Sequence, residues 1–321
     1  MSAKPLAANL IGCAAFLLLT LAQSTQAQAW LPAEGEGQVT YTYQNIFVRN
    51  HLDYTGKKFD PGHIRTHTQV INLEYGLTNK LALDADITHV TSRFLGPYTF
   101  PPHGPVDTGS YHPNFQDLRI GIRYNLLNGP VVISPSIAVV IPTHHYETRG
   151  HSVVGHDLHE LQMGVNVGRD LEAILPRTYV EARFAFAIVE RVAGLNLNRS
   201  NADWEVGHFA TSRLSLRFTG TWQKTYGGID IPLDSNLPLY HDLHDRAARS
   251  NFIRLGGGAS FSLTRSVDLH ADYARTISGI NFTDAKGISL GISWRFSRGF
   301  NGGGFSAKKA VARLSHVGQT P

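Results

Sequence analysis

Between Leu214 and Lys224 apolar and polar side chains alternate without a break: Leu214, Leu216, Phe218 and Trp222 fall on one face, and Ser215, Arg217, Thr219, Thr221 and Gln223 on the other. A strand rises ~3.4 Å per residue with side chains on alternate faces, so ~10 such residues carry an apolar stripe across a bilayer at the usual barrel tilt. The pattern recurs along the chain, and the connections alternate between short and long. Together these features predict an all-β, antiparallel, up-and-down transmembrane β-barrel, apolar outside and polar inside.

About twelve strands are expected, near 38–49, 66–77, 81–93, 115–126, 131–146, 158–169, 178–191, 202–210, 214–225, 251–263, 267–277 and 287–296. The short connections are Thr78–Lys80, Leu127–Pro130, Thr211–Arg213 and Thr264–Ser266, with a longer one at Leu171–Arg177; those on the other side include 94–114 and 226–250. Short turns face the periplasm in such barrels, so with an even strand count both termini are expected there. A soluble β-sandwich would share the alternation but not the alternating loop lengths.

The amino terminus suits an exported protein. Lys4 precedes an apolar run from Leu6 to Ala22, and Ala27-Gln28-Ala29 forms an A-x-A cleavage signal. The expected organisation is a signal peptide over 1–29, a barrel over 30–296 and a basic, Gly-rich periplasmic tail over 297–321. Leu10-Ile11-Gly12-Cys13 resembles a lipobox, but the apolar run continues past Cys13. With Cys13 removed, the mature chain has no thiolate or cysteine metal chemistry. The tail carries Arg298, Lys308, Lys309 and Arg313 without an acid and accounts for the whole net charge of +4, which leaves the barrel close to neutral, so nothing suggests nucleic acid as a partner.

Parity assigns one set of charged residues to the lumen: Asp84, Asp86, Asp117, Arg119, Arg123, Glu181, Arg183, Arg217, Arg254, Asp268 and Asp272, together with Glu74, Glu160, Asp203, Glu205, His270 and Arg295. Charge on the lipid face at mid-bilayer costs about 2–4 kcal/mol, so their shared parity supports the fold. Either they form a selective polar channel or they pair with one another. A lumen between the filled 8-stranded and open 16-stranded cases favours mixed pairing and a largely occluded resting state. Opposite charges close along the chain, Asp117/Arg119 and Glu181/Arg183, are the pairs in view.

The loop 94–114 holds Phe94, Tyr98, Phe100 and Tyr111 among five prolines. It reads as a lid whose aromatics meet apolar solutes, or as an exposed loop against lipopolysaccharide sugars. Two near-duplicates, His156-Asp157-Leu158-His159-Glu160 and His241-Asp242-Leu243-His244-Asp245, join His144 and His145 at outer strand ends. Solvated loop histidines explain them better than metal binding. No serine lies in a nucleophile motif, so no catalytic residue and no cofactor are assigned.

Ser289, Gly291, Trp294 and Phe296 resemble the β-signal read by the outer-membrane barrel assembly machinery. Other stretches resemble the outer-membrane family associated with the meta-pathway of phenol degradation. Asn114 to Leu127, N-F-Q-D-L-R-I-G-I-R-Y-N-L-L, is similar to its G-D-L-x-x-G-x-x-Y-x-L strand, with Gln116 where Gly is usual. Leu263 to Phe296, holding L-T-R-S-V-D-L-H-A-D-Y, S-G-I-N and S-L-G-I-S-W-R-F, is similar to its ending. The resemblance implies an outer-membrane channel for passive uptake of small organic compounds, aromatic or hydrophobic ones included. The expected partners are outer-membrane lipids and lipopolysaccharide from the barrel reading, the assembly machinery from the β-signal, and the solute. The alternatives are a lipid-modifying enzyme and a structural barrel.

Overall fold

A computed structural model describes residues 28–96, 105–231, 234, 236 and 240–297. Residues 1–27 of the expected signal peptide over 1–29, Tyr98 and Phe100 of the expected lid, and the expected tail from residue 298 lie outside the described residues. Twelve antiparallel strands close into one barrel: β1 Glu36–Leu52, β2 His63–Thr78, β3 Leu81–Leu95, β4 His112–Tyr124, β5 Val131–Pro142, β6 Glu160–Asp170, β7 Thr178–Val189, β8 Arg199–Phe209, β9 Leu214–Thr225, β10 Asn251–Ser262, β11 Val267–Ile280 and β12 Phe282–Ser297. Each strand pairs with its sequence neighbours, and β12 pairs with β1 from Glu36↔Ser297 to Leu52↔Phe282, which closes the sheet. Closure leaves no unpaired strand edge, the condition for β-structure in lipid. A helix, α1 Tyr240–Ala247, lies in the connection between β9 and β10.

All twelve expected strands are present. The fifth ends at Pro142 rather than 146, and the chain then crosses the mouth as a loop. The last long-side connection is a single residue, Asn281, because β11 and β12 both extend beyond their expected ends. Asn281 adopts φ 46°, a left-handed conformation that asparagine tolerates better than most residues. Its side chain is anchored by Asp230 Oδ1 at 2.7 Å and by the Ile231 amide at 2.9 Å.

The alternation sorts as expected. Leu216, Phe218, Ile288, Leu290, Ile292 and Trp294 stand outward, each 44–56% exposed to what would be lipid. Inward neighbours such as Ser289 and Ser293 are buried. Arg at Leu216 is therefore expected to cost about 2–4 kcal/mol of folding free energy in lipid, and Arg at the inward Ser215 far less. Urea titrations in vesicles check this; equal costs would reverse the face assignment. Ser293 is not an equivalent tolerant position, because its hydroxyl bonds Thr40 Oγ1 at 2.7 Å and His270 Nε2 at 2.6 Å.

Candidate functional site

The lumen is filled from the turn end by the residues that precede β1. Ala29 is fully buried inside the barrel. Its amide donates to Glu181 Oε2 at 3.2 Å, and its carbonyl accepts from Ser134 Oγ at 2.8 Å. Arg123 donates to the carbonyls of Gln28 and, at 3.5 Å, of Trp30. The Trp30 ring meets Tyr179 edge-on, centroids 5.9 Å apart. A Cβ on Gly168 would come within 2.6 Å of Ala29 Cβ and 2.9 Å of the Trp30 ring, so glycine there makes room for the segment. Among the described residues, the short stretch from Gln28 to Gly35 before β1 reaches into the lumen from the turn end as a plug.

These contacts bear on processing. Leader removal after Ala29 would discard two residues whose backbone is bonded to the barrel wall, whereas removal after Ala27, in Thr25-Gln26-Ala27, keeps them. The mature protein is expected to begin no later than Gln28. N-terminal sequencing or intact mass checks this, and a chain beginning at Trp30 would contradict it.

Above the plug, Asn72 Nδ2 donates to Asp86 Oδ1 (2.6 Å), Arg119 pairs with Asp86 Oδ2 (3.1 Å), and Arg119 and Arg183 both donate to Gln162 Oε1 (3.4 and 3.2 Å). Arg183 lies 3.7 Å from Asp203, which accepts from Thr221 Oγ1 at 3.0 Å. This belt crosses the wall from β2 to β9. The expected pairs Asp117/Arg119 and Glu181/Arg183 do not form. Residues i and i+2 stand ~7 Å apart along one strand, whereas cross-strand neighbours lie ~5 Å apart. Asp117 instead accepts from the Tyr146 hydroxyl at 2.8 Å, and Glu181 holds the plug.

Nearer the turn end, Arg123 is almost fully buried and pairs with Glu74 and, through a two-bond fork of 2.9 and 3.1 Å, with Asp84. Arg217 pairs with Asp272, and Arg295 with Asp268 at 2.9 Å. His270 sits between Ser260 Oγ on Nδ1 (2.8 Å) and Ser293 Oγ on Nε2 (2.6 Å). A hydroxyl, not a carboxylate, thus faces each ring nitrogen, and Ser293 is only 1% exposed.

Between plug and cap lies a cavity of about 600 Å³. Asp84, Asp86, Asp117, Arg119, Arg123, Arg183 and Arg254 line it; Glu181, Arg217, Asp268 and Asp272 do not. Its apolar wall includes Ile46, Val70, Val90, Phe252 and Leu255, with Val153 and Val154 overhead. Arg254 lies 5.3 Å from the Phe252 ring centre, and Phe252 stacks on Phe282 at 4.0 Å. Among the described residues Arg254 has no ion-pair partner, unlike Arg119, Arg123 and Arg183.

The cap is built from loops. Asp107 accepts from the amides of His151 (2.8 Å) and Ser152 (3.0 Å), from Ser152 Oγ (3.0 Å) and from His151 Nδ1 (3.0 Å). Asp245 accepts from the Gly150 amide at 2.7 Å, and its carbonyl meets His156 Nδ1 at 3.1 Å. The two near-duplicate motifs therefore meet here, where their backbones and carboxylates tie loops together. Among the described residues no three His, Cys, Asp or Glu side chains converge as a metal site. The lid residues part company. Phe94 is buried inside the mouth and stacks on His151 at 4.3 Å. Tyr111 lies on the outer wall, with the Arg93 guanidinium 4.5 Å over its ring. The reason is parity: Phe94 is inward, Arg93 outward, and the returning chain follows Arg93. The β-signal residues also divide, with Ser289 and Gly291 inward and Trp294 and Phe296 outward beside Tyr75.

Asp107 titrates away from its ordinary value. Burial would raise it, but the hydrogen bonds from His151 and Ser152 outweigh this and hold the carboxyl below 3.8. A carboxyl whose folded pKa is depressed loses its stabilising contribution as pH falls through that range, because the opened form takes up the proton first. Cap opening, read by limited proteolysis, is therefore expected to increase as pH drops below 3.8, and Asp107→Asn to loosen the cap already at neutral pH. A variant cap as resistant as the wild type at neutral pH would exclude Asp107 as the tie.

These features define a twelve-stranded transmembrane barrel of the outer-membrane type, closed at one end by its own N-terminal segment. Its fold is similar to the COG4313 outer membrane channel from Pseudomonas putida F1, with a TM-score of 0.65 at 12% identity over 85% of this chain and 100% of that one. The NanC porin (TM-score 0.45, 9% identity, 80% and 98% covered) and the KdgM porin in complex with disordered oligogalacturonate (0.44, 6%, 81% and 99%) are more distant. No protein-family model matches the sequence, and no curated protein matches it.

Proposed function

We propose that this chain is a channel of the bacterial outer membrane for passive uptake of small organic compounds, aromatic or hydrophobic, and not an enzyme. The observation that carries the reading is the cavity of about 600 Å³ between two short closures within one transmembrane barrel. Such a volume suits a small molecule rather than an oligomer. Its apolar wall favours a hydrophobic body, and Arg254 beside stacked Phe252 and Phe282 favours an aromatic ring bearing an acidic group. The fold shared with a channel and the resemblance of Asn114–Leu127 to the phenol-pathway family point the same way. In this reading the turn end and both termini face the periplasm, and the barrel assembly machinery inserts the chain through the Trp294/Phe296 ending.

The test is uptake into proteoliposomes. Phenol-like acids are expected to enter faster than sugars of similar size, and Arg254→Gln to reduce the preference. Entry of neither class, with the cap and plug intact or removed, would overturn the channel. Release of fatty acid from the same vesicles would favour a lipid-modifying enzyme instead.

A further inference from the structure

At the loop end of the outer wall four cations fall in one cross-strand row. Arg275 pairs in register with Lys286, Lys286 with Phe47, Phe47 with Arg65, and Arg65 with Arg93. The row thus crosses β11, β12, β1, β2 and β3, about 19 Å at ~4.8 Å per strand. Lys286 and Arg65 approach the one Phe47 ring, at 5.6 and 5.5 Å. Arg93 lies over Tyr111, and its buried Nε has no hydrogen-bond partner. Asp284 is the one carboxylate ion-paired to the row among the described residues, 3.8 Å from Arg275, and it is held at 2.6 Å by Lys58. Arg65, Arg93 and Lys286 have no ion pair among those residues. Like charges directly opposite on a sheet repel, so the row needs an anion from outside the chain.

Its height says which anion. Phe47 lies eight residues along β1 from Val39, which pairs with Trp294. That is ~27 Å of strand and, at a tilt of about 40°, ~20 Å along the membrane normal, ~5 Å below the top of the ~25 Å apolar belt, a gap that the long Lys and Arg side chains span. The row therefore sits where the lipid headgroups of the loop-side leaflet begin. A Lys–Arg row with aromatic ledges suits tetrahedral phosphate, which a guanidinium binds through two bonds. We infer that Arg65, Arg93, Lys286 and Arg275 form a docking row for the phosphate groups of lipid A, the phosphorylated anchor of lipopolysaccharide. The inference rests on the outer-membrane location proposed above.

The test uses the full mature protein refolded in non-ionic detergent, with bisphosphorylated lipid A and its dephosphorylated form as probes. R65Q/K286Q leaves Arg93 and Tyr111 in place; K224Q removes an exposed cation elsewhere on the wall. A cation near an anionic surface is worth about fivefold in affinity, so the double variant is expected to bind bisphosphorylated lipid A roughly thirtyfold more weakly. K224Q and the wild type should bind alike, and dephosphorylated lipid A should bind the wild type no better than the double variant binds the phosphorylated form. Heat-modifiable migration shows that each variant is folded. Equal binding of both lipids, or of wild type and double variant, overturns the row. Cell fractionation is read separately. Wild type outside the outer membrane sinks the location, whereas outer-membrane protein indifferent to phosphate sinks only the row.

Discussion

A chain lacking residues 28–34 should still fold and should conduct in steps where the intact barrel is silent or nearly so. The segment contributes no strand, and the wall closes without it through β12 and β1 from Glu36↔Ser297 onward. What it contributes lies inside: two carbonyls on Arg123, one on Ser134 Oγ, an amide on Glu181 and the Trp30 ring against Tyr179. All of these partners are polar or amphipathic, so water replaces the segment at modest cost. The Arg123 pairs with Glu74 and Asp84 remain. Planar-bilayer recordings of both forms check the expectation. If truncation leaves conductance unchanged, the cap and the charge belt, not the plug, close the pore.

How much of this was legible in the sequence follows from which forces act on each part. Lipid imposes a period of two on every strand, so the wall could be read from residues such as Leu216 and Arg217 alone. Register is not written in any single strand. That is why the sequence points Asp117 and Glu181 to the arginines two residues away, while their actual partners are Tyr146 and the plug. The plug has no periodicity, and its Ala29, two residues after Ala27 in the sequence, reads equally as part of a processing signal. One hint was available: Gly168 stands at an inward position of β6, where a side chain would ordinarily fill the lumen. Loop membership groups Phe94 with Tyr111, but the parity of the strand end sends one inside and the other out.

Arg123→Met should be the most destabilising single substitution in the lumen. The guanidinium is 4% exposed, bonds Asp84 through two nitrogens, and pairs with Glu74. Removing one partner of a buried ionic cluster leaves its carboxylates uncompensated, which typically costs about 3–5 kcal/mol. Here two acids lose their cation at once, beside Glu181. The plug also loses its anchor at Gln28 and Trp30, so conductance should rise with the loss of stability. Arg123→Lys keeps the charge but not the fork and should fall between wild type and Met. Asp84→Asn in the Met background should recover part of the stability, since it removes one of the stranded charges. Urea unfolding in vesicles, read by heat-modifiable migration, gives the stability, and bilayer recordings give the plug. A Met variant as stable as the wild type would mean that water in the lumen already solvates Glu74 and Asp84, and that the cluster orients the plug without supporting the wall.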